Sequence, residues 1–456
     1  MSFRIKNISV VFLLAIFVIL QSIYLSFPAD MWWDAAVYLG MGKHIFSLGN
    51  AGLWEPSRPL VWPFLLGLLW KSGANPILFG NIIAIGLSAS SILLAYLISK
   101  NFFDETTSFI AAVFLAFSPT FFLFTSVLQT EIPSLFFLLL GTHLFLKKKF
   151  IISGFSFGTA FMARFFAIFA IIPFFIHLAM LSVKQKNNKK LTIFALFFLI
   201  PLAAYLILNQ ILYSNMLYPF TLQFLMTQTT GAIFNQPFSF YFIGMVKENM
   251  LVIFSIPGAY YLLQKKHKRA IFVISMLVFS FAPFALAQHK EMRLLILSMP
   301  FIYMLTAYGI ISFVEANKWE KKTVISSLII IWLIISMPNL KFNQYINNLD
   351  FLHKYLKEKD QNGEIWTSNP AYAVYSDKKI DELIYYPTFN HDKFLHLKNN
   401  MNKANNIFLN TCDLYCEPYN NYCENDKKEF VALLKNNFKE LHYQEEGKCK
   451  YFIFAK

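Results

Sequence analysis

The chain of 456 residues is 56% hydrophobic, 18% aromatic and only 14% charged, against about 25% charged residues in soluble domains. This composition, a mean hydropathy of +0.47 and apolar runs of about 20 residues exclude an ordinary soluble protein and indicate a polytopic membrane protein. The net charge of +14 would also suit a nucleic-acid-binding protein. Because the basic residues form short clusters between the apolar runs, such as that at 147–149, we expect no nucleic-acid partner.

We predict about eleven membrane spans, because that many apolar runs are long enough to cross a hydrocarbon core of about 30 Å. They lie near residues 8–27, 76–99, 106–125, 132–146, 150–164, 166–183, 191–213, 243–263, 270–287, 294–313 and 323–340. The first run is too long for the apolar region of a signal peptide and lacks a cleavage site of small residues, so we expect it to be retained as a span.

The positions of the basic clusters predict the orientation of the chain, because cytoplasmic loops carry an excess of Lys and Arg. The clusters fall in every second connection, at residues 4–6, 100, 147–149, 184–190, 265–269 and 318–322. This alternation predicts a cytoplasmic N-terminus and an extracytoplasmic first loop, 28–75. The chain then divides into a transmembrane domain, residues 1–340, and an extracytoplasmic domain, residues 341–456.

Two segments outside the spans have patterns of their own. The sequence PLVWPFLLGLLW at 59–70 is too short to span and contains two Trp residues, which predicts a helix in the membrane interface. The polar tail alternates helical and extended patterns, at 352–359, 364–367, 380–386, 407–410, 427–438 and 451–454. The predicted fold is therefore an α-helical polytopic membrane protein with a small extracytoplasmic α/β domain.

All four cysteines of the chain, Cys412, Cys416, Cys423 and Cys449, lie in this tail. An extracytoplasmic compartment permits disulfide bonds, and four thiols allow three pairings that the sequence does not distinguish. A zinc site is the alternative, but the spacing matches no common zinc pattern. We favour disulfides over zinc, with unpaired thiols as the remaining possibility.

A candidate catalytic base lies in the first loop. Asp34 follows two Trp residues, and Tyr38 comes four residues later on the same face of any helix formed there. A partly desolvated carboxylate at the membrane surface is suited to accept a proton. The simpler alternative is a helix cap beside interfacial Trp anchors.

Two further ionisable residues lie next to apolar runs. Glu131 opens a predicted span in QTEIP, and Arg164 follows another in FMARFF. An ionisable residue at membrane depth costs about 2.5–3.5 kcal/mol, so a functional role is the default expectation. The helix dipole also favours Glu131 in a first turn, and the two residues can form a purely structural ion pair.

A third group of ionisable residues lies in QHKEMRLLI, where a span is predicted to begin. On a helix, both His289 and Lys290 would share a face with Arg293. Cations on the extracytoplasmic side are suited to a phosphate or pyrophosphate at the membrane surface. The alternative is an ordinary interfacial stop with its side chains extended towards water.

Under the predicted orientation, all these residues and Arg58 of the first loop lie at one face of the membrane. A base, a second acid and several cations there predict a reaction centre for an anionic lipid, such as a sugar linked to a lipid phosphate. The catalytic candidates are Asp34 and Glu131. The substrate- or phosphate-binding candidates are Tyr38, Arg58, Arg164, His289, Lys290 and Arg293.

The order of these motifs resembles that of the GT-C superfamily of integral membrane glycosyltransferases. The specific resemblance is to the glycosyltransferase family 39 type, which includes protein O-mannosyltransferases and the bacterial aminoarabinose transferase of lipid A. It covers residues 1 to about 313 through the acidic first loop and the segments RPLVWPFLLGLLWKSG, LISKNFFDE, SPTFFLFTSVLQTEIP and GFSFGTAFMARF. The HKEMR segment is similar to the His-Lys-Glu motif of lipid-linked-sugar mannosyltransferases of the family 22 type.

This resemblance implies transfer of one sugar from a polyprenyl or dolichyl phosphate to a hydroxyl of a protein, lipid or glycan, with inversion. Asp34 would be the base, Tyr38 the tyrosine that often follows it, Glu131 the acid that opens the fourth span, and Arg164 the basic residue after the fifth. Lys290 and Arg293 would contact phosphate. Fixed cations make a metal cofactor unnecessary.

Members of the family commonly have Asp-Glu at the first motif, whereas Ala35 follows Asp34 here. The loss of that carboxylate gives weight to a noncatalytic assembly subunit as an alternative. A transporter or flippase of lipid-linked sugars is the other, although it would be expected to place its ionisable residues nearer the membrane midplane.

Overall fold

The computed structural model describes residues 2–26, 31–231, 233–264, 268–340, 363–417 and 421–456. The helix predicted at 352–359 lies outside these residues, as does part of the basic cluster at 265–269.

Between residues 2 and 336 the described chain forms sixteen α-helices. They are α1 (Ser2–Tyr24), α2 (Trp33–Phe46), α3 (Val61–Lys71), α4 (Pro76–Ser99), α5 (Glu105–Ala116), α6 (Pro119–Phe124), α7 (Glu131–Leu146), α8 (Phe150–Ala163), α9 (Ala167–Gln185), α10 (Lys189–Tyr213), α11 (Tyr218–Thr230), α12 (Phe240–Glu248), α13 (Ser255–Gln264), α14 (Lys268–Leu286), α15 (Met299–Ala316) and α16 (Lys321–Ser336).

Helices cover each of the predicted apolar runs, but several runs are interrupted, and α2 and α11 lie outside them. Within the described residues, four helices are long and apolar enough to span, namely α4, α9, α10 and α15. Helix α12 and the segment after it form a further pair, bent by 119°. The run at 106–125 breaks into α5 and α6, because Ser118 is extended and Pro119 starts a new helix. The run at 294–313 begins in a 3-10 helix, Met292–Leu297, before α15.

Helix ends and crossings follow from local sequence. The Asn75 side chain accepts hydrogen bonds from the backbone of Ile77 (3.0 Å) and Leu78 (3.2 Å), so it caps α4. Helices α2 and α3 cross at Gly42 and Gly67, where a Cβ on either residue would collide with the backbone of the other helix. This close crossing brings the start of α2 near the loop that precedes α3.

The C-terminal domain contains a five-stranded sheet in the order β2-β1-β3-β5-β4. The strands are β1 (Glu364–Thr367), β2 (Glu382–Leu383), β3 (Ala404–Asn410), β4 (Lys439–Glu446) and β5 (Cys449–Ala455), and the helices are α17 (Tyr372–Tyr375), α18 (His391–Asn399) and α19 (Asn421–Asn437). β1 pairs in parallel with β2 and β3, whereas β5 pairs antiparallel with β3 and β4. The predicted helical membrane fold with a small α/β domain is confirmed.

Two disulfide bonds join the four cysteines, Cys412 to Cys449 and Cys416 to Cys423. The first links the segment after β3 to the start of β5. The second closes a short loop that precedes and enters α19.

A partly buried carboxyl lies in the segment that follows β3. Asp413 accepts hydrogen bonds from Ser368 Oγ (2.8 Å) and Asn410 Nδ2 (3.1 Å). Burial nevertheless raises the pKa of Asp413 from 3.8 to about 7.

This raised pKa predicts that the C-terminal domain loses stability as pH rises. The folded state holds the Asp413 proton more tightly than the unfolded state, so the stabilisation is full below pH 4 or so and is lost by about pH 7. We expect the thermal midpoint of the β-sheet infrared band to fall over this interval. The fall should be smaller in Asp413→Asn, and an equal fall in both proteins would contradict the assignment.

The C-terminal domain packs directly on the first loop and α2. Lys43 is only 3% exposed, and its ammonium donates to the carbonyl oxygens of Val374 (3.0 Å) and Ser376 (3.1 Å) and pairs with Asp377 Oδ1 at 2.9 Å. Backbone hydrogen bonds join Gly52 to both neighbours of residue 379. One apolar cluster contains residues of both parts, among them Val37, Met41, Leu53, Ile365, Tyr372 and Ile380.

Candidate functional site

Asp34 lies in the first turn of α2, and its side chain points into a charged network. Trp32 occupies the cap position of this helix, and no side-chain cap is present there. Asp34 Oδ1 pairs with Arg58 Nη2 at 2.9 Å, and Oδ2 pairs with Arg293 Nη1 at 2.5 Å. The carboxylate therefore does not cap α2 but joins two cations that are distant in the chain.

The two arginines determine the ionisation of Asp34. Burial alone raises the pKa of this carboxyl, but Arg58 and Arg293 outweigh it and hold the pKa well below the ordinary value of 3.8. The carboxylate is ionised, and in this arrangement it is a weak base.

Arg58 is held by its own loop. Its Nε donates to Glu55 Oε1 at 2.9 Å, and the Ser57 hydroxyl donates to the same oxygen at 3.1 Å. The guanidinium carbon lies 5.8 Å from the centre of the Tyr38 ring, in a cation–π contact. The Tyr38 hydroxyl in turn lies 3.5 Å from Thr130 Oγ1. Arg58 therefore reaches Asp34 with its orientation fixed on two sides.

Glu131 and Arg164 form a second ion pair beside the first. Glu131 starts α7 and is 1% exposed, while Arg164 ends α8 with an extended backbone. Arg164 Nη1 lies 2.7 Å from Glu131 Oε1 and donates also to Thr130 Oγ1 at 3.2 Å. The structural ion pair considered from the sequence is thus present. Glu131 Oε2 is buried without a hydrogen-bond partner among the described residues.

Arg293 connects the two ion pairs. Besides Asp34, its Nη1 contacts Gln129 Oε1 at 2.9 Å, and its Nη2 contacts Glu291 Oε1 at 2.8 Å. Its Nε lies 3.9 Å from Glu131 Oε1. Asp34 and Glu131, together with Arg58, Arg164 and Arg293, therefore belong to one network.

The prediction that residues 289–293 share a helix is wrong. Glu291 is extended, His289 forms an isolated β-bridge with Asn235, and the 3-10 helix begins only at Met292. Pairing with the segment at 234–236 satisfies the backbone here, so the helical spacing does not apply.

This extended backbone separates Lys290 from Arg293. The Lys290 ammonium donates to the carbonyl oxygens of Gln236 and Ala287 and is 7% exposed. It therefore lies outside the network of ion pairs. His289 remains connected, because its Nε2 lies 2.7 Å from Glu291 Oε1.

Three members of the network were assigned no role from the sequence, namely Glu55, Gln129 and Glu291. Glu55 and Glu291 belong to the charges predicted at the same face as Arg58 and Arg293, whereas the uncharged Gln129 was missed. The charged side chains of the network keep a partly exposed surface: Asp34 is 15% exposed, Arg58 17% and Arg293 18%. An anion entering the site can therefore reach the guanidinium groups.

No group of three or more His, Cys, Asp or Glu residues is placed to hold a metal ion in the parts of the chain that the structure describes.

The sequence and the fold were compared with known proteins. The family model described as Dolichyl-phosphate-mannose-protein mannosyltransferase matches residues 57–208, a region that includes Arg58, Glu131 and Arg164. No curated protein sequence matches the chain.

Solved structures with similar folds cover nearly the whole chain. ArnT from Cupriavidus metallidurans, solved with undecaprenyl phosphate, has a TM-score of 0.65 at 8% identity and covers 97% of both chains. The archaeal oligosaccharyltransferase AglB from Archaeoglobus fulgidus, solved with an inhibitory peptide and a dolichol-phosphate, has a TM-score of 0.58 at 12% identity, covering 97% of this chain and 74% of that one. The chain is thus a multi-pass membrane protein with the fold of the GT-C glycosyltransferases that its sequence resembles.

Proposed function

We propose that this chain is a membrane glycosyltransferase. It moves one sugar from a polyprenyl or dolichyl phosphate to a hydroxyl acceptor, with inversion, at the extracytoplasmic face. The observation that carries the proposal is the bridging of Asp34 by Arg58 and Arg293 beside the Glu131–Arg164 pair. The matched family and the lipid phosphates present in the ArnT and AglB structures support the choice of donor.

In the proposed reaction Asp34 is the general base. It takes the proton of the acceptor hydroxyl as that oxygen attacks the anomeric carbon, and the bond from this carbon to the phosphate oxygen breaks. The bonding electrons leave with the polyprenyl phosphate, whose growing negative charge is stabilised by Arg58, Arg164 and Arg293.

The two arginines make the basicity of Asp34 depend on whether the donor is bound. With both guanidinium groups on Asp34, the pKa of the carboxyl is too low for efficient proton transfer. A donor phosphate that draws Arg58 and Arg293 away from Asp34 raises that pKa, so the base becomes stronger when the donor is bound. Arg164 has donors to spare, because both of its hydrogen bonds to described residues use Nη1.

Glu131 is the second acid of the proposed site. Its Oε1 accepts from Arg164 and lies near Arg293, and its Oε2 is buried and unpaired among the described residues. We propose that Glu131 orients Arg164 and Arg293. Ala35 is fully buried in an apolar cluster with Trp62 and Leu66. At the position where family members commonly have a Glu, this chain therefore has a small apolar side chain packed in that cluster.

The predicted orientation belongs to the same proposal. The basic clusters favour a cytoplasmic N-terminus, with the first loop and the domain at 341–456 on the extracytoplasmic side. The contacts of Lys43 with Val374 and Asp377 support one common side for that loop and that domain. The C-terminal domain would then help to bind the acceptor. A transporter is the less favoured alternative, because its charged residues would be expected nearer the midplane.

Reconstitution of the purified full chain tests the proposed activity. We expect sugar transfer, with release of polyprenyl phosphate, from an undecaprenyl or dolichyl phosphate donor to a hydroxyl acceptor in extracted envelope material. The two carriers are assayed separately, and vesicles without protein serve as the control. A monodisperse, folded protein that releases polyprenyl phosphate from neither carrier would overturn the proposal.

A further inference from the structure

The C-terminal domain touches the transmembrane part at a second place, through Tyr386. The Tyr386 hydroxyl donates to the carbonyl oxygen of Thr229 at 2.6 Å, with Glu417 Oε1 as a second acceptor at 3.0 Å. Thr229 lies in the last turn of α11. Glu417 lies within the loop closed by the Cys416–Cys423 disulfide. The end of α11 is therefore held by a phenol from the C-terminal domain.

The residues that follow hold His289. Thr230 Oγ1 lies 3.2 Å from His289 Nδ1, and the rings of Phe234 and His289 pack against each other at an angle of 34°, with their centres 4.6 Å apart. The backbone nitrogen of Lys290 donates to the Phe234 carbonyl oxygen at 3.0 Å, and the Lys290 ammonium donates to Gln236. The segment at 229–236 therefore fixes the position of His289 and Lys290 together.

His289 connects this segment to the charged network. Its Nε2 lies 2.7 Å from Glu291 Oε1, the same oxygen that accepts from Arg293 Nη2 at 2.8 Å. A carboxylate oxygen only accepts, so the hydrogen-bond network assigns a hydrogen to Nε2. Arg293 in turn donates a hydrogen bond from Nη1 to Asp34 Oδ2.

We infer that Tyr386 and His289 are positioning residues, through which docking of the C-terminal domain sets the orientation of Arg293 towards Asp34. The inference rests on the proposed function and assigns His289 a role different from direct phosphate binding. A continuous series of contacts carries it, from Tyr386 to the end of α11, then through His289 and Glu291 to Arg293. Without this series, Arg293 would keep its charge and lose one fixed partner.

Three substitutions at His289 separate hydrogen bonding from packing. His289→Gln places an amide nitrogen near the position of Nε2, so it can still donate to Glu291. His289→Asn places one near Nδ1 and cannot reach Glu291, while His289→Phe keeps an aromatic ring packed against Phe234 and loses both hydrogen bonds.

We expect kcat for transfer to fall about tenfold in the Phe and Asn variants and to be largely retained in the Gln variant. His396→Gln is the matched control, because His396 Nε2 contacts Glu382 at 3.1 Å on the surface of the C-terminal domain. A Phe variant as active as the parent, or a Gln variant as impaired as the Phe variant, would overturn the inference.

Tyr386→Phe tests the other end of the series by a measurement that does not depend on activity. Loss of the hydroxyl should speed amide hydrogen exchange at Lys290, whose nitrogen is paired with Phe234. Tyr443→Phe, which removes a phenol hydrogen bond to Glu445 on the edge strand, should leave that exchange unchanged.

The two measurements separate failure of this inference from failure of the proposed function. If the parent transfers sugar but Tyr386→Phe leaves Lys290 exchange unchanged, the inference fails and the proposed function stands. If the parent transfers none, the proposed function fails, and the exchange at Lys290 still decides whether the C-terminal domain constrains this segment.

Discussion

Asp34→Asn is expected to lower the rate of sugar transfer by about 10²- to 10⁴-fold. An amide does not accept the acceptor proton at neutral pH, whereas the carboxylate of Asp34 does. The substitution also leaves Arg58 and Arg293 without their shared negative charge, so carrier binding is retained or strengthened. The measurements are transfer from a polyprenyl phosphate donor under single-turnover conditions and binding of undecaprenyl phosphate.

Asp104→Asn is the matched control for this experiment. Asp104 caps α5 by accepting from the backbone nitrogen of Thr107 at 3.1 Å, and Asn caps helices as well as Asp. The same change of charge there should leave transfer unaffected. Parental activity in Asp34→Asn would show that another group removes the proton.

Arg164→Met is expected to destabilise the folded chain by about 3–5 kcal/mol, because it leaves the buried Glu131 carboxylate without its closest cation. Glu131 is 1% exposed, and its other oxygen has no partner among the described residues. Thermal unfolding in detergent, followed by the loss of monodisperse protein, measures the effect. Transfer by the surviving folded fraction should also fall, since Arg164 is one of the proposed phosphate contacts.

The double variant Arg164→Met/Glu131→Leu distinguishes an unpaired charge from lost packing. Removing both charges replaces the ion pair by apolar side chains and should recover much of the lost stability without recovering transfer. If the double variant is less stable than Arg164→Met alone, the cost does not arise from the loss of the closest cation at Glu131. Lys398→Met, which breaks an exposed pair with Glu429, should change stability by less than about 1 kcal/mol.

The helical part was predictable from the sequence because apolar periodicity and length dominate in a membrane. The breaks within the apolar runs were harder to predict from the sequence. Pro119 marks the break after α5. The bend after Glu248, in contrast, lies in the sequence ENMLVIF, which contains no proline. The edge strand β4 was not predicted, because KELHYQEE lacks a continuous apolar face and none of its side chains is fully buried.

The candidate site was predictable as a set of segments rather than as a geometry. An acid or an arginine beside an apolar run is costly enough to mark Glu131 and Arg164 by their positions in the sequence. Which side chains meet depends on tertiary contacts. The helical spacing assumed for 289–293 brought Lys290 towards Arg293, whereas pairing with residues 234–236 turned its ammonium to backbone carbonyls. Gln129 has no charge to mark it, yet it contacts Arg293.

The apolar cluster shared by α2 and the sheet has a practical consequence for work on this protein. A fragment starting near residue 363 would expose Ile365, Tyr372 and Ile380 to water, because Val37, Met41 and Leu53 no longer cover them. Such a fragment is expected to self-associate when expressed alone. Antibodies or ligands raised against it would then include binders to a surface that the intact protein hides, so screening is best done with the full chain in nanodiscs.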